Sequence, residues 1–181
     1  MASFCLLRLG APHAGHAAMV ERMLDLDPGE PRSVVLVGSA DVVGRADVAL
    51  PWEERRDLVV ALLKMRGSDV ARVVFAPLPE LKTNGWDARW CTYLLERVRA
   101  AMDREPTHYV FGDDYESSVF AELVAQAPAI ALVRMPRVYD KSARELRHAI
   151  KSGDPALLAK YEEELALYSD DQRARIAAAS P

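Results

Sequence analysis

Cysteine is scarce in this chain, with only Cys5 and Cys91 among 181 residues. Two isolated cysteines exclude a disulfide framework and a cysteine-rich metal centre, and they fit the unpaired thiols of a cytoplasmic protein. Long apolar runs are missing too, since none approaches the ~20 residues that a membrane span needs. Phe4-Cys5-Leu6-Leu7 is too short for the core of a signal peptide, and Arg8 and Pro12 follow it directly. Nor is there an excess of positive charge. Lys and Arg number 23 against 27 Asp and Glu, a formal net charge of −4. Without a basic block, a nucleic-acid footprint is not expected, and phosphate binding must come from a local cluster. Internal repeats, a P-loop, HExxH and a calcium-loop spacing are all absent.

What remains is an ordinary globular composition, 50% hydrophobic and 28% charged, long enough for one domain with a substantial core. Apolar runs predict strands over residues 4–7, 33–38, 70–75, 107–111 and 129–133, the second with a mostly β-branched centre. Helical patterns fall between them, over residues 17–24, 51–63, 87–102 and 117–125. Pro51 suits the first turn of the second helix, with Glu53 and Glu54 behind it. Two terminal helices are predicted over 142–151 and 155–168, and residues 176–181 read as a frayed end. Strand and helix alternate five times, and right-handed crossovers then give a parallel sheet covered on both faces. The expected fold is α/β, a Rossmann-like three-layer sandwich with a five-stranded parallel sheet and C-terminal helices. It forms a single domain over 1–181, with a core over 3–150 and a helical segment over 154–178.

The first strand-to-helix turn, Arg8-Leu9-Gly10-Ala11-Pro12-His13-Ala14-Gly15-His16, concentrates the chemistry. Open α/β sheets bind ligands beyond the carboxyl ends of their strands, and a helix N-terminus favours a phosphate. His13-Ala14-Gly15-His16 resembles the HxGH signature of the nucleotidyltransferase superfamily. Near the far end, Lys141-Ser142-Ala143-Arg144-Glu145-Leu146-Arg147 is similar to that superfamily's SGTxxR signature. Ser142 and Arg147 match, Ala143 stands for the glycine, and Arg144 stands for the threonine. Three further stretches resemble the nicotinamide-mononucleotide (NMN) adenylyltransferases of the archaeal type and the adenylyltransferase domain of the bifunctional NAD-biosynthesis regulator. They are Arg8 ahead of the first signature, Ala49-Leu50-Pro51-Trp52-Glu53-Glu54-Arg55, and Asp87-Ala88-Arg89-Trp90. Leu7, Ala11 and Arg144 depart from the family pattern.

The resemblance implies a cytoplasmic enzyme that joins ATP to NMN or nicotinate mononucleotide and releases pyrophosphate. It implies catalytic roles for His13, His16, Arg8 and Arg147, with Gly15, Ser142 and Arg144 at the ATP phosphates. Trp86, Trp90, Asp113 and Ser39 would serve the acceptor nucleotide. Mg²⁺ would be shared with phosphate oxygens and waters, so no dedicated metal ligands are expected. Family members often assemble into dimers or larger rings, which leaves a homo-oligomer open; neither nucleic acid nor membrane is implied as a partner. Two other readings share these residues. One is a sister transferase, pantetheine-phosphate adenylyltransferase or a cytidylyltransferase. The other is a nucleotide-binding module that has lost catalysis. Glu162, Glu163, Glu164, Asp170 and Asp171 read as a solvated charged face without chemistry. Trp86 and Trp90, four apart, read as sharing one helical face.

Overall fold

Alternation along the strands decides which side chain goes to which face of the sheet. The structure, a computed structural model, describes residues 2–26, 28, 32–82, 85–102, 104–112 and 116–179. Five parallel strands, β1 (Ser3–Leu7), β2 (Ser33–Gly38), β3 (Val73–Leu78), β4 (His108–Gly112) and β5 (Ala131–Met135), lie in the order β3-β2-β1-β4-β5. Phe4 of β1 pairs with Val34 on one side and Tyr109 on the other, and Cys5 pairs with Val35 and Val110. Residues 4, 34, 36, 109 and 111 thereby face one helical layer, α3 (Ala88–Ala101) and α4 (Ala121–Gln126). Residues 5, 7, 35, 37 and 110 face the other, α1 (Ala14–Leu26) and α2 (Trp52–Met65). A sheet buried on both faces explains why β1 and β2 read as continuous apolar runs. Because β1 lies between β2 and β4, the chain diverges at its carboxyl end and opens a crevice there.

Several boundaries differ from the sequence expectation, each for a local reason. Residues 70–72 form a 3-10 turn capped by Asp69, whose side chain accepts from the Ala71 N–H at 3.1 Å, so β3 begins three residues late. A 3-10 turn at Ser117–Phe120 likewise precedes α4. The first helix starts at Ala14, which places His16 on the helix and not in the turn. Asp87 caps α3, accepting from the Trp90 N–H at 2.8 Å, so Trp86 precedes the helix and the two tryptophans do not share a helical face. Pro51 stands just outside α2 as its cap residue. Cys5 and Cys91 are buried thiols without a disulfide.

The C-terminal segment departs most. After α5 (Ala143–Ser152), closed by Gly153 in the left-handed region (φ 66°), come α6 (Pro155–Lys160), α7 (Glu162–Leu165) and α8 (Asp170–Ala179). Residues 176–179, expected to fray, are instead part of a packed helix, with Ile176 fully buried, while 180 and 181 lie outside the described residues. Two α8 side chains anchor it to α2, Arg175 through a fork on Glu54 at 2.9 and 2.6 Å and Gln172 at 2.9 Å. Beneath them, Ile176 joins Leu58, Leu146, Tyr161, Leu165 and Tyr168 in a third apolar cluster. Glu162, Glu163, Asp170 and Asp171 are exposed as expected, whereas Glu164 is 1% exposed. Among the described residues, no helix is long and apolar enough to cross a membrane. Truncating a fully buried isoleucine loses both transfer energy and packing, so Ile176→Ala is expected to lower the unfolding free energy by about 2–5 kcal/mol in urea titration. A frayed end would give no change.

Candidate nucleotide site

The carboxyl ends of β1, β4 and β5 meet at a cleft of about 260 Å³. His13, Gly15, His16 and Met19 line one wall, Gly112 lies at the end of β4, and Met135–Tyr139 with Lys141–Ala143 form the opposite wall. His13 is 8% exposed and His16 half-buried. Their rings lie 4.1 Å apart between centroids. Each uses Nδ1 as an acceptor, His13 from the Gly15 N–H at 3.1 Å and His16 from the His13 N–H at 3.2 Å. An Nδ1 that accepts carries no proton, so the neutral ring holds its proton on Nε2. Burial, with the charges of Lys141 and Arg137, pulls the His13 pKa down to about 4. Burial and the neighbouring His13 hold His16 well below its ordinary value. At neutral pH the pair consists of two uncharged imidazoles, each with one Nε2–H donor.

Glycine is required between them. A Cβ at Gly15 would lie 2.9 Å from Cε1 and 3.1 Å from Nδ1 of His13 and would displace that ring. The amides that sequence reasoning assigned to phosphate are already occupied. Ala14 N–H donates to Glu164 Oε1 at 3.1 Å, Gly15 N–H to His13 Nδ1, and His16 N–H to the His13 carbonyl at 2.9 Å. This is the role that the glutamate run concealed. Glu164 comes from 150 residues away, and it also accepts from Lys141 Nζ through both oxygens, at 2.9 and 2.8 Å. Tyr168 donates its hydroxyl to the Pro12 carbonyl at 2.8 Å.

Across the cleft, Ser142 caps α5, its hydroxyl accepting from the Glu145 N–H at 3.1 Å. Tyr161 braces the same turn: its hydroxyl accepts from the Ser142 N–H at 2.8 Å and donates to Glu145 at 2.5 Å. Arg147, one turn on, is half-buried and reaches back over the first loop, where a Cβ on Gly10 would lie 3.0 Å from its Nη1. The same Cβ would be 2.2 Å from the Asp47 carbonyl oxygen, so only glycine lets these segments meet. Burial lowers the Arg147 pKa. Arg144 is exposed.

The other assigned residues occupy two separate places. At the ends of β1 and β2, Arg8 is mostly exposed and donates to Asp47 at 2.7 Å. Arg45 bridges Asp47 and Glu80, and Ser39 donates to Glu80 at 2.7 Å. Beneath them lies Arg55, whose importance the sequence reading missed. It is fully buried and donates to the carbonyls of Arg8, Gly38 (3.0 Å) and Ser39 (2.9 Å). The signal was present: Arg55, Leu58 and Leu62 share the buried stripe of α2, where a lone arginine has to find acceptors. The tryptophans belong to an aromatic group on the α3 side. Trp86 packs edge-to-face on Trp90 and on Phe120, at 6.2 and 4.6 Å between centroids. Both are half-buried, and neither lines the histidine cleft. Asp113 lies outside the described residues.

A five-stranded parallel sheet in this order, with helices on both faces, has known counterparts. The fold is a Rossmann-like three-layer α/β fold. Two solved structures of a bifunctional NMN adenylyltransferase/ADP-ribose pyrophosphatase from Francisella tularensis are similar to it. One shares 18% identity with a TM-score of 0.68, over 84% of this chain and 42% of that one. The other, complexed with AMP and a manganese ion, shares 16% identity with a TM-score of 0.72, over 98% and 52%. The chain thus spans about half the length of these structures. No protein-family model and no curated protein matches the sequence.

The depressed histidines make stability depend on pH. A folded-state pKa below the unfolded value means that the unfolded chain binds more protons as pH falls, so stability is lost on acidification. For His13 the window runs from its ordinary 6.5 down to about 4, a loss of about 3 kcal/mol across it. Above pH 5 the paired carboxylates Glu21, Glu54, Asp47 and Glu80, all with lowered pKa, remain ionised and contribute little. Urea titrations at pH 7, 6 and 5 are expected to show falling stability, with a shallower slope for His13→Gln. Equal slopes would mean that His13 titrates normally.

Proposed function

We propose that this chain is a nucleotidyltransferase that transfers AMP from ATP to NMN or nicotinate mononucleotide and releases pyrophosphate. The observation that carries the reading is the pair of neutral imidazoles, each with its Nε2–H free to donate, in a cleft at the carboxyl ends of β1, β4 and β5. The fold supports it, and one structure of the similar Francisella protein is a complex with AMP and a manganese ion. The sequence resemblance supplies the acceptor.

In this reaction a phosphate oxygen of the mononucleotide attacks the α-phosphorus of ATP. The bond to the oxygen bridging the α- and β-phosphorus breaks, and pyrophosphate leaves with the electron pair. Negative charge spreads over phosphoryl oxygens, so catalysis is mostly alignment and charge stabilisation, and no nucleophilic side chain is needed. His13 and His16 donate Nε2–H to the phosphoryl oxygens, from a buried wall whose geometry the backbone amides have already fixed. Arg147, over the first loop, adds a planar donor fork for a phosphate, whereas Arg8, paired with Asp47, lies outside the cleft lining. Mg²⁺ enters as part of the substrate, MgATP. An ion that keeps phosphate and water ligands asks for no carboxylate cage.

Removing one preorganised donor costs ~10²–10³-fold in turnover. His16→Ala is expected to slow pyrophosphate release from ATP and NMN by that factor, and to lower stability by only about 1–3 kcal/mol, the cost of leaving the His13 N–H without its acceptor. Normal turnover in the variant would remove the histidine role. Release with phosphopantetheine and none with NMN would point to the sister transferase, and no release with any acceptor would point to a binding module.

For the acceptor ring we propose Trp90. A nicotinamide in NMN is flat and positively charged, and an indole face attracts it by roughly 0.5–2 kcal/mol. Trp86 is wedged against Phe120 and Tyr109, which leaves Trp90 as the more available face. Trp90→Ala is expected to raise the apparent constant for NMN several-fold to ~30-fold, with ATP binding unchanged. An unchanged constant would assign Trp90 to the core alone.

A further inference from the structure

The C-terminal segment reaches both signature turns through buried polar contacts. Glu164 is 1% exposed, and its carboxylate meets one backbone amide, Ala14 N–H, and one cation, Lys141. Lys141 lines the histidine cleft, with its side chain 18% exposed. Capping a helix amide does not require this arrangement. A neutral Ser or Asn does that work, while a buried carboxylate is costly unless a cation and hydrogen bonds compensate it. The distinctive consequence falls on the lysine. A flexible four-carbon chain that would ordinarily reach for water is held at the cleft wall by two donors to Glu164 and by the face of Tyr161, 5.5 Å from its Nζ. An ammonium has three donors, so one remains.

We propose that Lys141 is a further phosphate-binding residue of this site and that Glu164 is the residue that positions it, which makes the C-terminal helices part of the active site. This rests on the reading of the cleft as the place of the triphosphate. His13 and His16 offer one donor each and no charge. Lys141, on the opposite wall, supplies an oriented N–H with formal positive charge, suited to the β- and γ-phosphates. The pair is neutral overall, so its contribution is directional and short-ranged, not a field that would attract any anion. Tyr161 and Tyr168, on either side of Glu164, bind the Ser142 turn and Pro12, and so hold the carboxylate at a fixed distance from both walls.

The test is direct binding to the full chain, by calorimetry, of inorganic tripolyphosphate, ATP and adenosine. Lys141→Met is expected to weaken tripolyphosphate and ATP by ~10-fold, the scale of one charge-assisted hydrogen bond, and to leave adenosine unchanged. Glu164→Gln keeps an acceptor for Ala14 but loosens the lysine, and is expected to weaken the same two ligands several-fold. A purely structural role would move adenosine with them. Lys141→Met leaves a buried carboxylate unpaired; if it does not fold, Lys141→Met with Glu164→Gln removes both charges together. Wild-type protein that binds tripolyphosphate but transfers no nucleotide would sink the transferase reading and leave this proposal standing. Wild-type protein that binds no tripolyphosphate, or variants that bind it as tightly as wild type, would overturn the proposal.

Discussion

One buried guanidinium joins the carboxyl ends of β1 and β2, and the rest of the site is laid out from there. Among the described residues, Arg55 has no carboxylate at hydrogen-bond distance; its partners are the main-chain carbonyls of Arg8, Gly38 and Ser39. Hydrogen bonds from a charged donor are the strong kind, and several together offset the desolvation of the cation. Burial lowers its pKa to about 10, so it stays charged at neutral pH. Two residues next to those carbonyls hold left-handed backbone, Leu9 at φ 54° and Ser39 at φ 52°. Neither is glycine, and such conformations cost roughly 1–2 kcal/mol each. They persist because Arg55 fixes the peptides beside them, and they turn the chain sharply where β1 and β2 end. Gly10 then meets Asp47 and Arg147, and the first loop is set on course for His13.

The histidine turn depends on the opposite economy, in which charge is excluded. Backbone amides hold both Nδ1 atoms, and burial suppresses protonation, so the rings have one tautomer and one outward donor each. An imidazolium would lose the Nδ1 acceptor and with it the hydrogen bonds that set the turn. Neutrality and geometry are therefore one constraint. Positive charge is supplied from elsewhere, by Lys141 and Arg137 on the facing wall, which in turn help to keep His13 neutral, and by Arg147 over Gly10.

Local physics was legible in the sequence, and long-range physics was not. The strand–helix alternation and the parallel sheet could be read from short stretches, and the glycine of the first signature came with the resemblance. Each rests on contacts within a few residues or on burial of whole segments. Glu164 could not be read. Its neighbours Glu162 and Glu163 are solvated, and only the return of α7 to the start of α1 tells it apart from them. The packed state of α8 was hidden for the same reason, because its fork partner Glu54 lies 121 residues earlier in the chain. Arg55 was half-legible, since an arginine on an apolar stripe announces a buried partner but does not name it. Trp86 and Trp90 show a different failure. Their spacing suggested one helical face, but the Asp87 cap starts the helix between them.

These features divide the crevice into regions of different character. Around His13, His16, Lys141 and Ser142, donors outnumber free acceptors, because Glu164 is wholly engaged by Lys141 and Ala14. Around Arg8, Arg45 and Ser39, the carboxylates of Asp47 and Glu80 already pair the arginines. A polyphosphate has only acceptors, so the first region suits it without rearrangement, whereas an anion in the second must displace a carboxylate from an exposed ion pair. Exposed pairs are worth ~1 kcal/mol or less, so that exchange is cheap. On the proposed reading this places the triphosphate by the histidines and the acceptor towards β2 and β3, with the α-phosphorus between them, over the end of β1. That is the position where the strand order diverges.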